Sequence, residues 1–255
     1  MIIALSIILA LLLLLTCKEQ GLKIIKTICF NLLFIIICIF LIANGVPVWI
    51  AAFVMGIGFL AFTLLYQFGL NQKTVLSFFS CLIVLFLMYF MIHWFVKDVK
   101  MAGLNDLDLN MDVSQAIDIN IKISMEQLAI AVVMLGALGA IMDAAIAVSS
   151  CVFEIYMSDS SLSFPEILKS AGKIGYDILG TTINTLLLAG LGDFYLYCVF
   201  FAFNHFSIGD ILNSETVFQS FASVMIGSIA CLFILPLTTC MMAGYLSLRK
   251  KELVS

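Results

Sequence analysis

The sequence predicts an all-α polytopic transmembrane helix bundle of about seven spans, with one amphipathic helix lying in the cytoplasmic interface. Three observations predict it. Hydrophobic residues make up 64% of the 255-residue chain and charged residues 11%, whereas soluble domains carry about a quarter charged residues. Mean hydropathy is +1.20. Several apolar runs reach the roughly 17 to 25 helical residues that cross hydrocarbon at about 1.5 Å each. Residues 1–255 are therefore expected to form a single integral membrane domain, with no room for a separate soluble one.

The spans are expected at about 2–17, 27–43, 48–67, 74–95, 126–151, 178–203 and 217–245. The first, Met1 to Thr16, is short but lacks a basic leader and a small-residue cleavage site, so it reads as a retained span. Orientation comes from the cations. Lys18, Lys23, Lys26, Lys73, Lys169, Lys173, Arg249, Lys250 and Lys251 fall on one side, and Lys97, Lys100 and Lys122 on the other. The positive-inside rule then puts the N-terminus outside and the C-terminus in the cytoplasm.

The outer loop 96–124 carries Asp98, Asp106, Asp108, Asp112 and Asp118. It ends in Ile117-Asp118-Ile119-Asn120-Ile121-Lys122-Ile123, whose period of two predicts an extended strand against the membrane face or a partner; a linker entering the fifth span is the alternative. On the inner side, Ser163-Phe164-Pro165-Glu166 has the form of a capping box with proline in the first turn. Ile167, Leu168, Ala171, Ile174 and Ile178 follow at helical spacing, predicting an interfacial helix over 164–177 that anchors the sixth span or levers it.

Composition also excludes function classes. Basic residues are few and scattered, so nucleic acid is not an expected partner. The eight cysteines sit in or beside apolar runs without a C-x-x-C pair or a histidine at ligand spacing, so neither metal nor cofactor is expected. No phosphate-binding glycine loop or Ser/His/Asp constellation is visible, and no catalytic residue or enzyme activity is expected.

Chemistry concentrates between Gly136 and Asp193. In the fifth span Gly136, Ala140, Asp143, Ala147, Ser150 and Glu154 advance by three or four residues and share one helix face. Small residues there admit a neighbouring helix, toward which the carboxylate would point. An aspartate at helix centre costs about 2.5 to 3.5 kcal/mol on insertion scales, so Asp143 is expected to have a partner or a role, either carrying a proton or cation or bridging helices. In the sixth span Asp177, Thr181, Asn184, Thr185 and Leu188 share a face, and Asp143 and Asn184 fall at similar depth. They would hydrogen-bond if these spans pack as neighbours. Asp177 reads as an interfacial cap, and Thr182 as bonded to its own backbone. Gly190-Leu191-Gly192-Asp193 suggests a kink or broken helix, with Asp193 near the outer interface as the simpler alternative. Pro236 is expected to bend the seventh span.

The stretch Gly136-Ala137-Leu138-Gly139-Ala140-Ile141-Met142-Asp143, continuing through Ser149-Ser150 to Glu154-Ile155, resembles the signature of the YibE/F-like family of bacterial multi-pass membrane proteins. Ser170-Ala171-Gly172 and Ile174 to Leu186 resemble its second block. Tyr176 and Asp193 depart from the pattern. The resemblance implies a bacterial inner-membrane protein, a transport or efflux component of undefined substrate, and a related membrane protein as partner.

Gly190-Leu191-Gly192-Asp193-Phe194 is also similar to the GxGD motif of intramembrane aspartyl proteases, and Tyr176-Asp177 to their other aspartate motif. Sixteen residues on one helix separate the two carboxylates by roughly 24 Å, whereas a catalytic dyad shares a proton at about 3 Å. The first expectation is thus a transporter with Asp143 as proton or cation carrier and Thr181, Asn184 and Thr185 as its neighbours; Asp177, Asp193 and Glu154 are secondary polar positions. The second is a non-catalytic subunit or scaffold, and the third a protease.

Overall fold

The computed structural model describes residues 1–99, 125–159, 162–203, 207, 209, 211 and 215–254. Among the described residues seven α-helices are delimited: α1 Ile2–Cys17, α2 Glu19–Ala43, α3 Val48–Leu60, α4 Gln72–Val99, α5 Met125–Ser158, α6 Phe164–Phe203 and α7 Glu215–Val254. A π-helical segment, Ala61–Gln67, continues α3. The described residues hold no strand, and the alternating segment 117–123 lies outside them. Among the described residues six stretches are long and apolar enough to cross a membrane, counting α3 and its π extension as one; the apolar run in α1, Ile3–Cys17, is shorter.

The connections follow from local chemistry. At Lys18 the backbone turns to φ 49°, and this one residue separates α1 from α2. A Cβ on Gly21 would strike the Leu13 carbonyl, so α2 can fold back against α1 only with glycine there. The α2 end is a Schellman turn: Gly45 takes φ 85°, its N–H bonds the Ile42 carbonyl, and the Val46 N–H reaches the Leu41 carbonyl. Pro47 follows, and its carbonyl accepts from Ile50 and Ala51 to start α3. Before α4, the Thr74 hydroxyl accepts the Asn71 N–H at 2.9 Å and lies 2.7 Å from the Gly69 carbonyl.

The centre of the bundle is α5, which packs against α3, α4, α6 and α7, while α1 packs on α2 and α2 on α3 with its π extension. On α5 Val133, Met134, Leu138, Ile141, Ala145, Val148 and Val152 are buried at helical spacing. Small side chains set the approach of its neighbours. A Cβ on Gly227 of α7 would lie 3.4 Å from Ala137 Cβ and 3.8 Å from Leu186 Cδ1, so α5, α6 and α7 meet there.

Two expectations for the sixth span change. The interfacial helix 164–177 and the span 178–203 are one unbroken helix of 40 residues, about 60 Å long at 1.5 Å per residue. The fall in hydropathy before Ile178 ends an apolar run, and nothing in Gly175-Tyr176-Asp177 stops a helix. Nor does Gly190-Leu191-Gly192-Asp193 break it. Gly190 is a contact: a Cβ there would strike Val224 Cγ2, just as one on Gly175 would lie 2.6 Å from Leu235 Cδ1. The start of α6 is as expected in type but reversed in part. Glu166 Oε2 accepts from both the Ser163 N–H at 2.8 Å and the Ser163 hydroxyl at 2.6 Å, so the serine donates instead of capping the helix amide. Likewise α7 runs through Pro236 without ending.

Gly190→Leu is expected to lower stability by about 1–3 kcal/mol through overpacking against a stiff β-branched neighbour. Gly192→Ala, where a Cβ meets nothing within 4 Å, is expected to leave it unchanged or raise it by up to about 1 kcal/mol. Equilibrium unfolding in mild detergent separates the two.

Candidate functional site

The two sides of α5 are chemically distinct. The side opposite its buried face carries Val132, Gly136, Gly139, Asp143 and Glu154, all exposed, with Ala140, Ala147 and Ser150 half-buried. Cβ atoms on Gly136 and Gly139 would meet nothing within 4 Å. The small residues of the sequence expectation do share one face, but no helix among the described residues packs on its middle. Asp143 lies at the centre of that face and, among the described residues, makes no hydrogen bond or ion pair.

The polar residues of α6 are also on an open side. Asp177, Thr181, Asn184 and Thr185 are exposed. Their hydroxyls are already used: Thr181 donates to the Ile178 carbonyl at 2.8 Å and Thr185 to the Thr181 carbonyl at 2.9 Å. Thr182 bonds its own helix as expected, donating to the Ile178 carbonyl at 2.9 Å. Asn184 has no hydrogen-bond partner among the described residues.

Register explains why Asp143 and Asn184 do not meet. Ala137 and Leu186 share the Gly227 junction, and α5 and α6 run antiparallel. Six residues along α5 lead from Ala137 to Asp143, and six back along α6 lead from Leu186 to Gly180. Asp143 is thus level with Gly180 and Thr181, and Asn184 stands roughly 6 Å further along the bundle axis. The two helices pack as neighbours, yet the expected Asp143–Asn184 hydrogen bond is not formed within the chain. Glu154 is exposed one helical turn beyond Ser150. Asp177 and Asp193 lie on the same unbroken helix, roughly 24 Å apart along its axis, so they cannot form a protease dyad with each other.

On the buried side of α5 the structure reveals a polar seam that the sequence analysis did not single out. Ser77 of α4 and Ser149 of α5 are fully buried, and the Ser77 hydroxyl reaches Ser149 Oγ at 2.8 Å and the Ala145 carbonyl at 3.2 Å. Ser149 in turn donates to the Ile146 carbonyl at 3.1 Å. Cys81 Sγ lies 3.9 Å from the Ile141 carbonyl, and the Ser80 hydroxyl lies 3.2 Å from Met241 Sδ of α7. The available signal was the spacing Ser77, Ser80, Cys81, Val84 and Met88, a narrow face of small and polarizable residues within an apolar run. Also on α7, Thr238 is 0% exposed and its Oγ1 has no partner among the described residues. No group of three or more His, Cys, Asp or Glu side chains that could hold a metal occurs among the described residues.

The family model described as YibE/F-like protein matches residues 5–247. No curated protein matches the chain, and no solved structure does.

The seam can be apportioned by a double-mutant cycle. Ser77→Ala and Ser149→Ala are expected to couple by about 0.6 kcal/mol, the average for hydrogen bonds between membrane helices. Thr238→Val should instead gain about 1 kcal/mol, because an isosteric methyl removes an unpaired buried hydroxyl. Unfolding midpoints in detergent measure both.

Proposed function

The chain belongs to the YibE/F-like family, and from that footing and the open face of α5 we propose that it is a component of membrane transport, with Asp143 as its proton or cation carrier. The observation that supports this most is the placement of Asp143: a carboxyl on the central helix of a membrane bundle, preceded on its face by two glycines, and bonded to nothing among the described residues. A carboxyl engaged in a helix bridge would have a fixed donor. One that exchanges protons or cations needs access to water or to a second surface instead. Thr181, level with Asp143, and Asn184 and Thr185 beyond it line the neighbouring helix as polar groups along the same route. In this proposal Asp177, Asp193 and Glu154 stand toward the two ends of the path, the N-terminus faces outward and the C-terminus lies in the cytoplasm of a bacterial inner membrane. No enzyme chemistry is involved.

A second reading is favoured by the same open face. Glycines with nothing near them offer close approach to another transmembrane helix, which suits a subunit or scaffold completed by a related membrane protein. Asp143 would then be an intersubunit hydrogen-bonding group.

The two separate experimentally. In liposomes, Asp143→Asn is expected to abolish proton-coupled cation flux while leaving the unfolding midpoint of the isolated chain within about 0.5 kcal/mol of wild type, since no bond within the chain is lost. Absence of flux in the wild type, combined with a stable complex that Asp143→Asn disrupts on size exclusion, would establish the scaffold and end the carrier proposal.

A further inference from the structure

At the end of the bundle where α4 begins, a cavity of about 290 Å³ opens between the α3–α4 connection and α5. Phe68 and Asn71 form one wall, Lys73 and Thr74 the next, and Ala147 and Ser150 of α5 the opposite one. Its volume is at the lower edge of ligand pockets. The cavity continues the open face of α5, because Ala147 and Ser150 lie one and two turns beyond Asp143.

Three features define its chemistry. Among the described residues the one charged side chain in the lining is Lys73, half-buried, with its ammonium 4.5 Å above the Phe153 ring. Cation–π contact restrains the ammonium yet leaves its N–H donors without a carboxylate, as Lys73 makes no ion pair among the described residues. Ser150 is half-buried, and among the described residues its hydroxyl makes no hydrogen bond, whereas Ser149 beside it is fully engaged. The exposed Asn71 adds an amide: its Nδ2 has only a 3.5 Å contact with the Phe68 carbonyl. The first turn of α4 adds its helix dipole at the same place. Thr74 is spent on the turn, with Oγ1 already bonded to backbone groups. Glu154 and Asp143 share the helix face of Ser150 but do not line the cavity.

We infer that this cavity is a binding site for a phosphate-type oxyanion, with Lys73 supplying the charge and Ser150 and Asn71 the neutral donors. Such a group comes either from a free anion or from the headgroup of an anionic phospholipid. The site is independent of any flux through Asp143.

The test uses the full chain in nanodiscs of neutral phosphatidylcholine, titrated with inorganic phosphate and followed calorimetrically. In parallel, protein extracted from membranes containing phosphatidylglycerol is analysed for retained lipid. In whichever arm the wild type binds, Lys73→Gln should weaken binding by about tenfold or more, the loss expected for a charge-assisted contact. Lys73→Arg should keep most of it, and Ala147→Leu, which fills the cavity without changing charge, should abolish it. Phosphate binding identifies a free-anion site, and selective phosphatidylglycerol retention a headgroup site; either supports the inference. It is overturned if the wild type binds neither, or if folded Lys73→Gln and Ala147→Leu bind as the wild type does. Unfolding midpoints verify the fold of each variant, and Ala147→Leu decides the matter should Lys73→Gln misfold.

Discussion

In hydrocarbon every polar group needs a partner inside the protein or access to water, and α5 satisfies that constraint differently on its two sides. On the clasped side, the hydroxyls of Ser77 and Ser149 bond to each other and to α5 carbonyls, and Cys81 lies against the Ile141 carbonyl. Those contacts let α4 sit close to α5 without leaving a buried dipole exposed to lipid. On the open side, Asp143 has no such partner among the described residues. The same helix is thus both the structural axis of the bundle and the carrier of an exposed carboxyl.

Close approach around that axis is purchased with missing side chains. Gly227 admits Ala137 and Leu186 to one junction, and Gly175 and Gly190 admit Leu235 and Val224 along the α6–α7 seam. Lipid tails are as apolar as leucine, so burial of aliphatic surface does not drive these helices together; contact density does. The glycines are therefore where packing is decided. The continuity of α6 follows from this. A break at Gly190 would remove the α7 contact that the glycine exists to permit, and the long helix keeps both Gly175 and Gly190 opposite their α7 neighbours.

Helix type was legible in the sequence because hydropathy and length are strong signals in a membrane chain. The Lys18 turn and the Gly45 turn both fall between the apolar runs. What hydropathy could not report is where a helix continues past the end of an apolar run, as α6 does from Phe164, because polarity ends such a run without ending a helix. The α5 face from Gly136 to Glu154 was legible as a periodicity, but periodicity is blind to which side is covered. Small residues suit both a packed face and an open one, so only the placement of α3, α4, α6 and α7 could show that Asp143 points away from them. The Ser77–Ser149 seam was missed for the opposite reason: isolated serines in an apolar run look like small apolar residues until a partner helix is placed beside them.

An open polar face on a helix apolar enough to cross a membrane has a thermodynamic consequence. A carboxyl facing acyl chains either remains neutral, draws water into the bilayer, or is covered by another protein surface, and each option makes its protonation depend on what lies beside it. Asp143 differs in this from Ser149, whose bonding is complete within the chain whatever surrounds the bundle. The glycines above Asp143 and the small Ala147 below it keep the approach to the carboxyl wide along the helix axis. A side chain at Gly139, where a Cβ meets nothing within 4 Å, would narrow that approach. The residues that build the bundle and those that expose Asp143 thus occupy opposite sides of one helix, which allows the chemistry of the open face to change while the packing of the clasped face is preserved.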